Sequence, residues 1–207
     1  SNISNSKSIA SILVYTSNKE QKNTVKLFEK SFQGNKGVIG IIGAGNFTSS
    51  TILPNLKKIG VKIKYIASSK GLSSTIMAKR YKISNSTTDY HQILNDDDVD
   101  LVIITTKHNM HAKMVIETIN AGKNVFVEKP LALNETELNK IIKIYNTKNV
   151  NITVGFNRRF APLAKKMKRI LGDSETPINV IATMNAGFIP KDVWVHDMSV
   201  GGGRIIG

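Results

Sequence analysis

The sequence feature that most limits the possible folds is an apolar run that ends directly at a glycine-rich turn. Val38–Ile42 is continuously apolar, as strands buried on both faces of a parallel sheet are. Gly43, Ala44 and Gly45 follow at once, and a helix-like segment ends near Ile59. This order of strand, turn and helix is typical of a dinucleotide-binding turn, in which Gly43 permits the tight bend and Gly45 lets a pyrophosphate approach the backbone.

The third glycine position of such a turn holds Thr48 in this chain. We expect its methyl and hydroxyl groups to push the helix and the strand slightly apart. A tight turn without any ligand is the alternative interpretation of the local sequence. The position of the turn within a repeating pattern of strands and helices favours dinucleotide binding.

Strand-like and helix-like segments alternate through the centre of the chain. Gly122 and Asn134 supply helix-end signals, as a C-cap and as the first residue of a capping box. This alternation predicts an α/β fold with a doubly wound, parallel Rossmann sheet over residues 37–155. The further predicted strands are Ile63–Ala67, Leu101–Thr105, Asn124–Val127 and Ile152–Val154, and the predicted helices are Met110–Ala121 and Asn134–Tyr145.

The flanks follow different patterns. Residues 1–36 form a lead-in and linker, with a strand-like Ile9–Tyr15 and a helical segment around Val25, Leu27 and Phe28. Residues 156–207 contain a basic helix over Leu163–Leu171 and a β-rich run, Ile178–Met184. We expect them to begin a second α/β domain with an open sheet. About fifty residues cannot complete such a domain, so the chain is expected to be a fragment.

Composition excludes several classes of protein. The 207 residues include no cysteine, which excludes disulfide scaffolds, thiolate nucleophiles and sulfur-liganded zinc, and favours the cytoplasm. No apolar run reaches the ~18 residues that a membrane span needs, so we expect no membrane partner. The 29 basic and 15 acidic residues give a net charge of +14, which favours an anionic partner. Nucleic acid ranks last because the basic residues are scattered.

The end of the second predicted strand carries no acidic residue. An NAD site usually has Asp or Glu here for the ribose hydroxyl. Ser68, Ser69 and Lys70 stand there instead. Two hydroxyls and a cation suit a 2'-phosphate, so the sequence favours NADP over NAD, although an ordinary solvated loop would look the same.

A polar cluster follows the third predicted strand, where ligands of open parallel sheets bind. It contains Thr105, Thr106, His108 and His111. Two histidines raise the possibility of a metal. Without cysteine or a convergent carboxylate nearby in sequence, we expect no metal, and we place His111 at a helix start or pocket edge and allow His108 to be surface.

Glu128, Lys129 and Pro130 follow the next predicted strand. The proline disfavours helix at Lys129 and holds it in an extended backbone. A lysine fixed at a pocket rim can transfer protons. From spacing alone, a surface lysine paired with Glu128 is an equal alternative.

Taken together, these motifs resemble the glucose-fructose oxidoreductase and inositol dehydrogenase family of nicotinamide-dependent sugar and polyol oxidoreductases. The resemblance runs from about Gly37 to the end of the chain. The matching motifs, in order, are Gly43-Ala44-Gly45-Asn46, Thr106 with His111, Ala121-Gly122-Lys123-Asn124-Val125, Glu128-Lys129-Pro130-Leu131 and Gly155-Phe156-Asn157-Arg158-Arg159-Phe160.

The resemblance implies a Rossmann domain that binds NAD or NADP, followed by a domain that shapes the substrate pocket and through which family members commonly associate as homo-oligomers. It implies hydride transfer between nicotinamide and a sugar, nucleotide-sugar or polyol carbon, with Lys129 catalytic in proton transfer. The residues expected to bind the cofactor are Gly43, Gly45, Asn46, Phe47, Ser68, Ser69, Lys70, Thr105, Thr106, His108, His111, Glu128, Lys129 and Arg158.

The chain also departs from the family pattern. Lys107 and His108 stand where proline and asparagine are common, and Gly207 stands where an aspartate is typical. The flanks resemble a bi-domain subgroup with an alcohol-dehydrogenase-like region upstream, which is often associated with surface polysaccharides. The alternative to an enzyme is a non-catalytic dinucleotide-binding or regulatory module.

Overall fold

Seven strands form one sheet in the computed structural model, which describes residues 22–34, 37–172, 177–183, 185 and 187–203. The sheet order is β1-β4-β3-β2-β5-β6-β7. The strands are β1 (Thr24–Lys26), β2 (Val38–Ile42), β3 (Lys62–Ala67), β4 (Asn85–Thr87), β5 (Leu101–Ile104), β6 (Asn124–Val127) and β7 (Ile152–Val154).

Helices connect the successive parallel strands from β2 to β7. Within the described ranges, none is long and apolar enough to cross a bilayer. The α-helices are α1 (Leu53–Lys58), α2 (Leu72–Tyr81), α3 (His91–Leu94), α4 (His111–Asn120), α5 (Glu135–Tyr145) and α6 (Pro162–Leu171). A π-helical turn, Thr48–Ile52, leads into α1, and short 3-10 turns occur at His108–Met110, Asn157–Phe160 and Trp194–His196.

The strand order confirms the predicted doubly wound sheet. Strands β2 to β7 run parallel to their neighbours, and only β1, among the described strands, pairs antiparallel. The chain moves outward from β2 through β3 and β4, then returns to the other side of β2 for β5, β6 and β7. The order therefore reverses beside β2, where open α/β sheets bind ligands.

Two apolar cores cover the two faces of the sheet. Alternate residues of β2 point into different cores: Ile39 and Ile41 pack with α1 and α2, whereas Val38 and Ile42 pack with α4 and α5. Every residue of β2 is buried, as the continuous apolar run predicted. The glycine-rich turn at Gly43 therefore begins at the most buried strand among those described.

The helix signals at the start of α5 are confirmed. The Asn134 side chain accepts a hydrogen bond from the Glu137 backbone N–H at 2.9 Å. The Glu137 carboxylate turns back to accept from the Leu133 backbone N–H at 2.8 Å. These two bonds satisfy donors at a helix start that would otherwise lack partners.

The helix predicted around Val25, Leu27 and Phe28 is wrong. Residues Thr24–Lys26 form β1, whose register places Val25 opposite Ser86 of β4. Leu27 and Phe28 then donate their backbone N–H groups to the Ser84 carbonyl. The available edge of β4 accounts for the difference, because pairing with an edge strand outweighs a weak local helix preference.

The β-rich run predicted over Ile178–Met184 is also wrong for the part that the structure describes. Residues 177–183 form neither strand nor helix, and Ile181 is almost fully exposed. A strand needs a neighbour to pair its backbone groups, and apolar residues alone do not supply one. The predicted strand Ile9–Tyr15 lies outside the described residues.

Lys123 stabilises the edge of the sheet opposite the cleft. It is 6% exposed and donates to the carbonyl oxygens of Asp96 at 2.7 Å and Val99 at 2.8 Å. Burial lowers the pKa of this amine, while nearby carboxylates oppose that effect.

We expect Lys123→Met to lower the free energy of unfolding by about 2–4 kcal/mol, since one buried and one partly buried carbonyl lose a charged donor while the apolar stem is kept. Urea unfolding curves measure the change. Lys140→Met, at an exposed position of α5, serves as the matched control, with a change within about 0.5 kcal/mol. Equal effects of the two substitutions would show that the Lys123 contacts contribute nothing.

Candidate functional site

A cleft of about 860 Å³ opens along the carboxyl ends of the parallel strands. The residues that follow β2, β3, β5 and β6 all contribute to its wall. This is the edge at which open α/β sheets bind ligands. The lining residues are Ile42, Gly43, Ala44, Gly45, Asn46, Phe47, Ala67, Ser68, Ser69, Thr88, Tyr90, Thr105, Thr106, Lys107, His108, Met110, His111, Met114, Glu128, Lys129 and Trp194.

Gly43 occupies a conformation and a space that exclude other residues. Its φ is +114°, and a Cβ there would lie 2.6 Å from Thr105 Oγ1 and 2.8 Å from the Thr105 carbonyl oxygen. The Gly43 backbone N–H donates to the Ala67 carbonyl at 2.9 Å. The turn is thus fixed between the ends of β3 and β5, as the sequence predicted for a tight turn.

Thr48 is accommodated by hydrogen bonds within the contact between the turn and the sheet. It is fully buried, and its hydroxyl donates to the Gly43 carbonyl at 2.9 Å. The Thr105 hydroxyl donates to the same carbonyl at 3.0 Å and lies 2.7 Å from Thr48 Oγ1. The wider π-helical turn begins at Thr48, where a third glycine would allow a closer approach.

Gly45 has open space around it. A Cβ built on Gly45 would meet no atom within 4 Å, and its φ is not positive. The chain's own packing therefore does not require glycine at this position. Asn46 and Phe47 continue the wall of the cleft, with Phe47 partly exposed.

The loop after β3 is ordered by its own hydroxyl groups. Ser68 Oγ donates to Ser74 Oγ at 2.9 Å and accepts from the Gly71 backbone N–H at 3.2 Å. Ser69 is exposed and lines the cleft, whereas Lys70 is exposed but lies outside the lining. The Ser69 hydroxyl is therefore better placed to contact a ligand, because the Ser68 hydroxyl already has two hydrogen-bond partners.

The His111 ring contacts both the loop that follows β5 and the loop that follows β6. His111 is the first residue of α4 and is fully buried. Its Nδ1 lies 2.7 Å from the Pro130 carbonyl oxygen and its Nε2 lies 3.1 Å from the Thr106 carbonyl oxygen. It thereby positions the neighbours of Lys129 and Thr105 at the cleft.

Glu128 and Lys129 lie at the end of β6. Lys129 is exposed and Glu128 is half-buried. Burial raises the pKa of Glu128, against the opposing effects of the Lys129 backbone N–H and the Lys129 charge. Gly155 leaves room for this carboxylate, since a Cβ there would lie 2.7 Å from Glu128 Oε1.

This raised pKa predicts a pH-dependent stability. Because the folded state binds the Glu128 proton more tightly than the unfolded state does, stability falls as pH rises from below the ordinary carboxyl pKa through the folded-state pKa. We therefore expect Glu128→Gln to be more stable than wild type near neutral pH, with the gain disappearing in acid. Urea unfolding across this pH range measures it. Glu135→Gln, exposed at the start of α5, should give no gain, and an absent gain at Glu128 would refute the prediction.

Most of the predicted site residues share the cleft. Those that line it are Gly43, Gly45, Asn46, Phe47, Ser68, Ser69, Thr105, Thr106, His108, His111, Glu128 and Lys129. Lys70 lies outside the lining, as does Arg158, which sits in the 3-10 turn after β7. Their contacts with a cofactor remain predictions.

Sequence reasoning missed two segments that contribute to the wall. Thr88 and Tyr90 follow β4, a strand too polar to be recognised from its pattern. The Tyr90 hydroxyl donates to Glu117 at 2.6 Å, which fixes the ring beside the cleft. Trp194 comes from a distant segment, and no local signal places it there.

Comparison with known proteins shows a family relationship. Residues 38–156 match the GFO/IDH/MocA family, described as an oxidoreductase family with an NAD-binding Rossmann fold. This agrees with the resemblance stated from the motifs.

Curated relatives are 30% and 34% identical to this chain over the residues that align. An uncharacterized oxidoreductase of Bacillus subtilis is 30% identical over 79% of this chain and 52% of its own length. The myo-inositol 2-dehydrogenase of Thermotoga maritima is 34% identical over 63% of this chain and 39% of its own length. The chain thus spans about half or less of the length of these relatives.

Solved structures share the fold. A probable dehydrogenase from Thermotoga maritima superposes with a TM-score of 0.60 and 30% identity, covering 65% of this chain and 40% of that one. A 3-ketoreductase from Actinomadura kijaniata, in complex with NADP and TDP-benzene, gives a TM-score of 0.69 at 21% identity, covering 83% of this chain and 54% of that one. The second likeness shows the fold alone.

Proposed function

Because the chain belongs to the GFO/IDH/MocA family of oxidoreductases with an NAD-binding Rossmann fold, we propose that it takes part in NAD(P)-dependent oxidation or reduction of a sugar, nucleotide sugar or polyol. The observation that carries the proposal is that the glycine turn and Lys129 line the same cleft. The name of one relative supports this substrate class, since that relative is a myo-inositol 2-dehydrogenase.

The glycine turn fits a dinucleotide. Gly45 is glycine although nothing in the chain crowds it, and the space that a Cβ would fill opens into the cleft. A pyrophosphate needs such an approach to backbone N–H groups beside a helix start. Gly43, Gly45 and Asn46 would hold the pyrophosphate, while Ser69 and Lys70 would face a 2'-phosphate and favour NADP.

The other end of the cleft suits the reacting groups. Bound nicotinamide supplies hydride transfer to or from a carbon of the substrate. Lys129 Nζ accepts the hydroxyl proton as the alcohol carbon is oxidised, and returns it to the oxygen in the reverse direction. The loop that carries Lys129 is held by the His111 contact with Pro130, so the amine acts from a fixed backbone.

The two parts of the chain contribute differently to this activity. We propose residues 37–155 as the cofactor-binding domain and residues 156–207 as the start of a domain that faces the substrate. Trp194, which reaches the cleft from the later segment, supports this division.

A spectrophotometric screen tests the proposal. Turnover is followed as the change in nicotinamide absorbance with neutral sugars, polyols and nucleotide sugars, in both directions. We expect a substrate of one of these classes to support turnover. Cofactor binding with no turnover on any of them would favour a regulatory module instead.

A further inference from the structure

The segment Trp194–Gly201 packs against the 3-10 turn that follows β5. The Asn109 backbone N–H donates to the Val200 carbonyl at 3.0 Å. His108 Nδ1 lies 2.8 Å from the Gly201 carbonyl oxygen. Gly201 is needed there, because a Cβ would lie 2.5 Å from the Val195 backbone. These contacts fix a distant segment at the mouth of the cleft.

Three side chains converge where this segment meets the turn. The Trp194 and His108 rings meet edge to face, with centroids 4.7 Å apart. Lys107 Nζ lies 5.9 Å from the Trp194 ring centroid, within reach of a cation–π contact. All three residues line the cleft. Of the three, only His108 is among the residues predicted to bind the cofactor.

The cluster lies at the reacting end of the cleft. His108 is close enough to Lys129 for the Lys129 charge to act on it, and it follows β5, on the far side of β2 from Ser68. A dinucleotide that runs from the β3 loop across the glycine turn would bring its nicotinamide toward this end. A ligand that contacts this cluster beside the nicotinamide would therefore be the substrate.

The chemistry of the three groups is specific. A carbonyl oxygen only accepts, so His108 donates from Nδ1 to Gly201 and keeps Nε2 as an acceptor for a hydroxyl. Burial, chiefly, lowers the pKa of His108, which keeps Nε2 unprotonated near neutral pH. The Trp194 ring offers an apolar face with little entropy to lose.

Lys107 supplies a cation that is available to a ligand. Its side chain is exposed. Asp197 lies close enough for the Lys107 charge to act on it, and its Oδ1 accepts from the Ser199 backbone N–H at 2.8 Å and from the Ser199 hydroxyl at 2.6 Å. Those bonds, together with the Lys107 charge, lower the pKa of Asp197.

We propose that Lys107, His108 and Trp194 form a substrate subsite for a sugar ring that carries an anionic group, either a phosphate or a carboxylate. The ring packs on Trp194, a sugar hydroxyl donates to His108 Nε2, and Lys107 binds the anion. This inference rests on the proposed function and specifies its substrate class.

The chain's single tryptophan, Trp194, makes the subsite directly measurable by fluorescence. The 207-residue chain is titrated first with NADPH alone. It is then saturated with NADP+, which blocks the cofactor site to nucleotides, and titrated with UDP-glucose, glucuronate and glucose. We expect saturable changes with one or both anionic sugars, at least about tenfold tighter than with glucose. The two anionic probes distinguish phosphate from carboxylate.

Variants of Lys107 separate the subsite from the cofactor site. Lys107→Met should weaken the anionic sugar about tenfold and leave NADPH within about twofold, while Lys107→Arg restores binding. Lys140→Met, at an exposed position of α5, is the control and should change neither the binding of the anionic sugar nor that of NADPH. Unchanged anionic-sugar binding by Lys107→Met, or equal binding of glucose, overturns the subsite alone. A failure of NADPH to bind overturns the proposed function and the subsite with it.

Discussion

Replacing Gly43 by alanine is expected to lower the free energy of unfolding by about 2–5 kcal/mol and to weaken NADPH binding at least about 100-fold. The alanine would have to adopt a φ of +114°. Its Cβ would lie 2.8 Å from Thr105 backbone atoms, which cannot move aside as a flexible side chain can. Relief requires the turn to shift, and the backbone donors for pyrophosphate shift with it. Urea unfolding and calorimetric titration measure the two effects.

Gly45→Ala is the matched control within the same turn. Its Cβ meets no atom within 4 Å, so stability should stay within about 1 kcal/mol of wild type. The methyl group nevertheless fills space that a pyrophosphate would need, and NADPH binding should weaken about tenfold or more. A Gly45→Ala variant with unchanged NADPH affinity would contradict the placement of the pyrophosphate, whatever Gly43→Ala does.

Lys129→Met is expected to reduce turnover about 10²–10⁴-fold once a substrate is found, while NADPH affinity stays within a few fold. The exposed amine at the end of β6 is the proposed acid–base group of the cleft. Methionine keeps most of the unbranched apolar stem and removes the amine that transfers the proton. Steady-state kinetics in both reaction directions measure the change.

Lys129→Arg separates proton transfer from charge. Arginine keeps a cation at the same place but does not release its proton in proteins. We expect turnover to stay low in Lys129→Arg, with substrate KM closer to wild type than in Lys129→Met. Lys113→Met, an exposed position of α4, should behave as wild type. Full activity of Lys129→Arg would assign Lys129 a binding role only.

The central fold could be predicted from sequence because its signals are local and agree with one another. The apolar run Val38–Ile42 is buried at every position, and the Asn134 cap forms as its spacing predicts. The tight turn predicted at Gly43 is confirmed by its positive φ and by the lack of space for a Cβ. In each case the signal that permits the prediction lies within one short segment of the sequence.

The parts that sequence reasoning missed depend on partners far along the chain. The strand β1 exists because β4 offers an edge, and β4 itself is the polar run Asn85–Thr87. Trp194 is held at the cleft by the contacts of His108 and Asn109 with residues about ninety positions later. Such pairings cannot be recovered from the periodicity of either segment.

Calorimetric titration of the chain with NADPH and, separately, with NADH tests the central claim most directly. The claim is that the cleft from Ser69 across Gly45 to Lys129 binds a nicotinamide dinucleotide. We predict saturable binding of both, with NADPH the tighter because Ser69 and Lys70 stand where an acidic residue would repel its 2'-phosphate. Tighter NADH would contradict the choice of NADP, and binding of neither would contradict the claim itself.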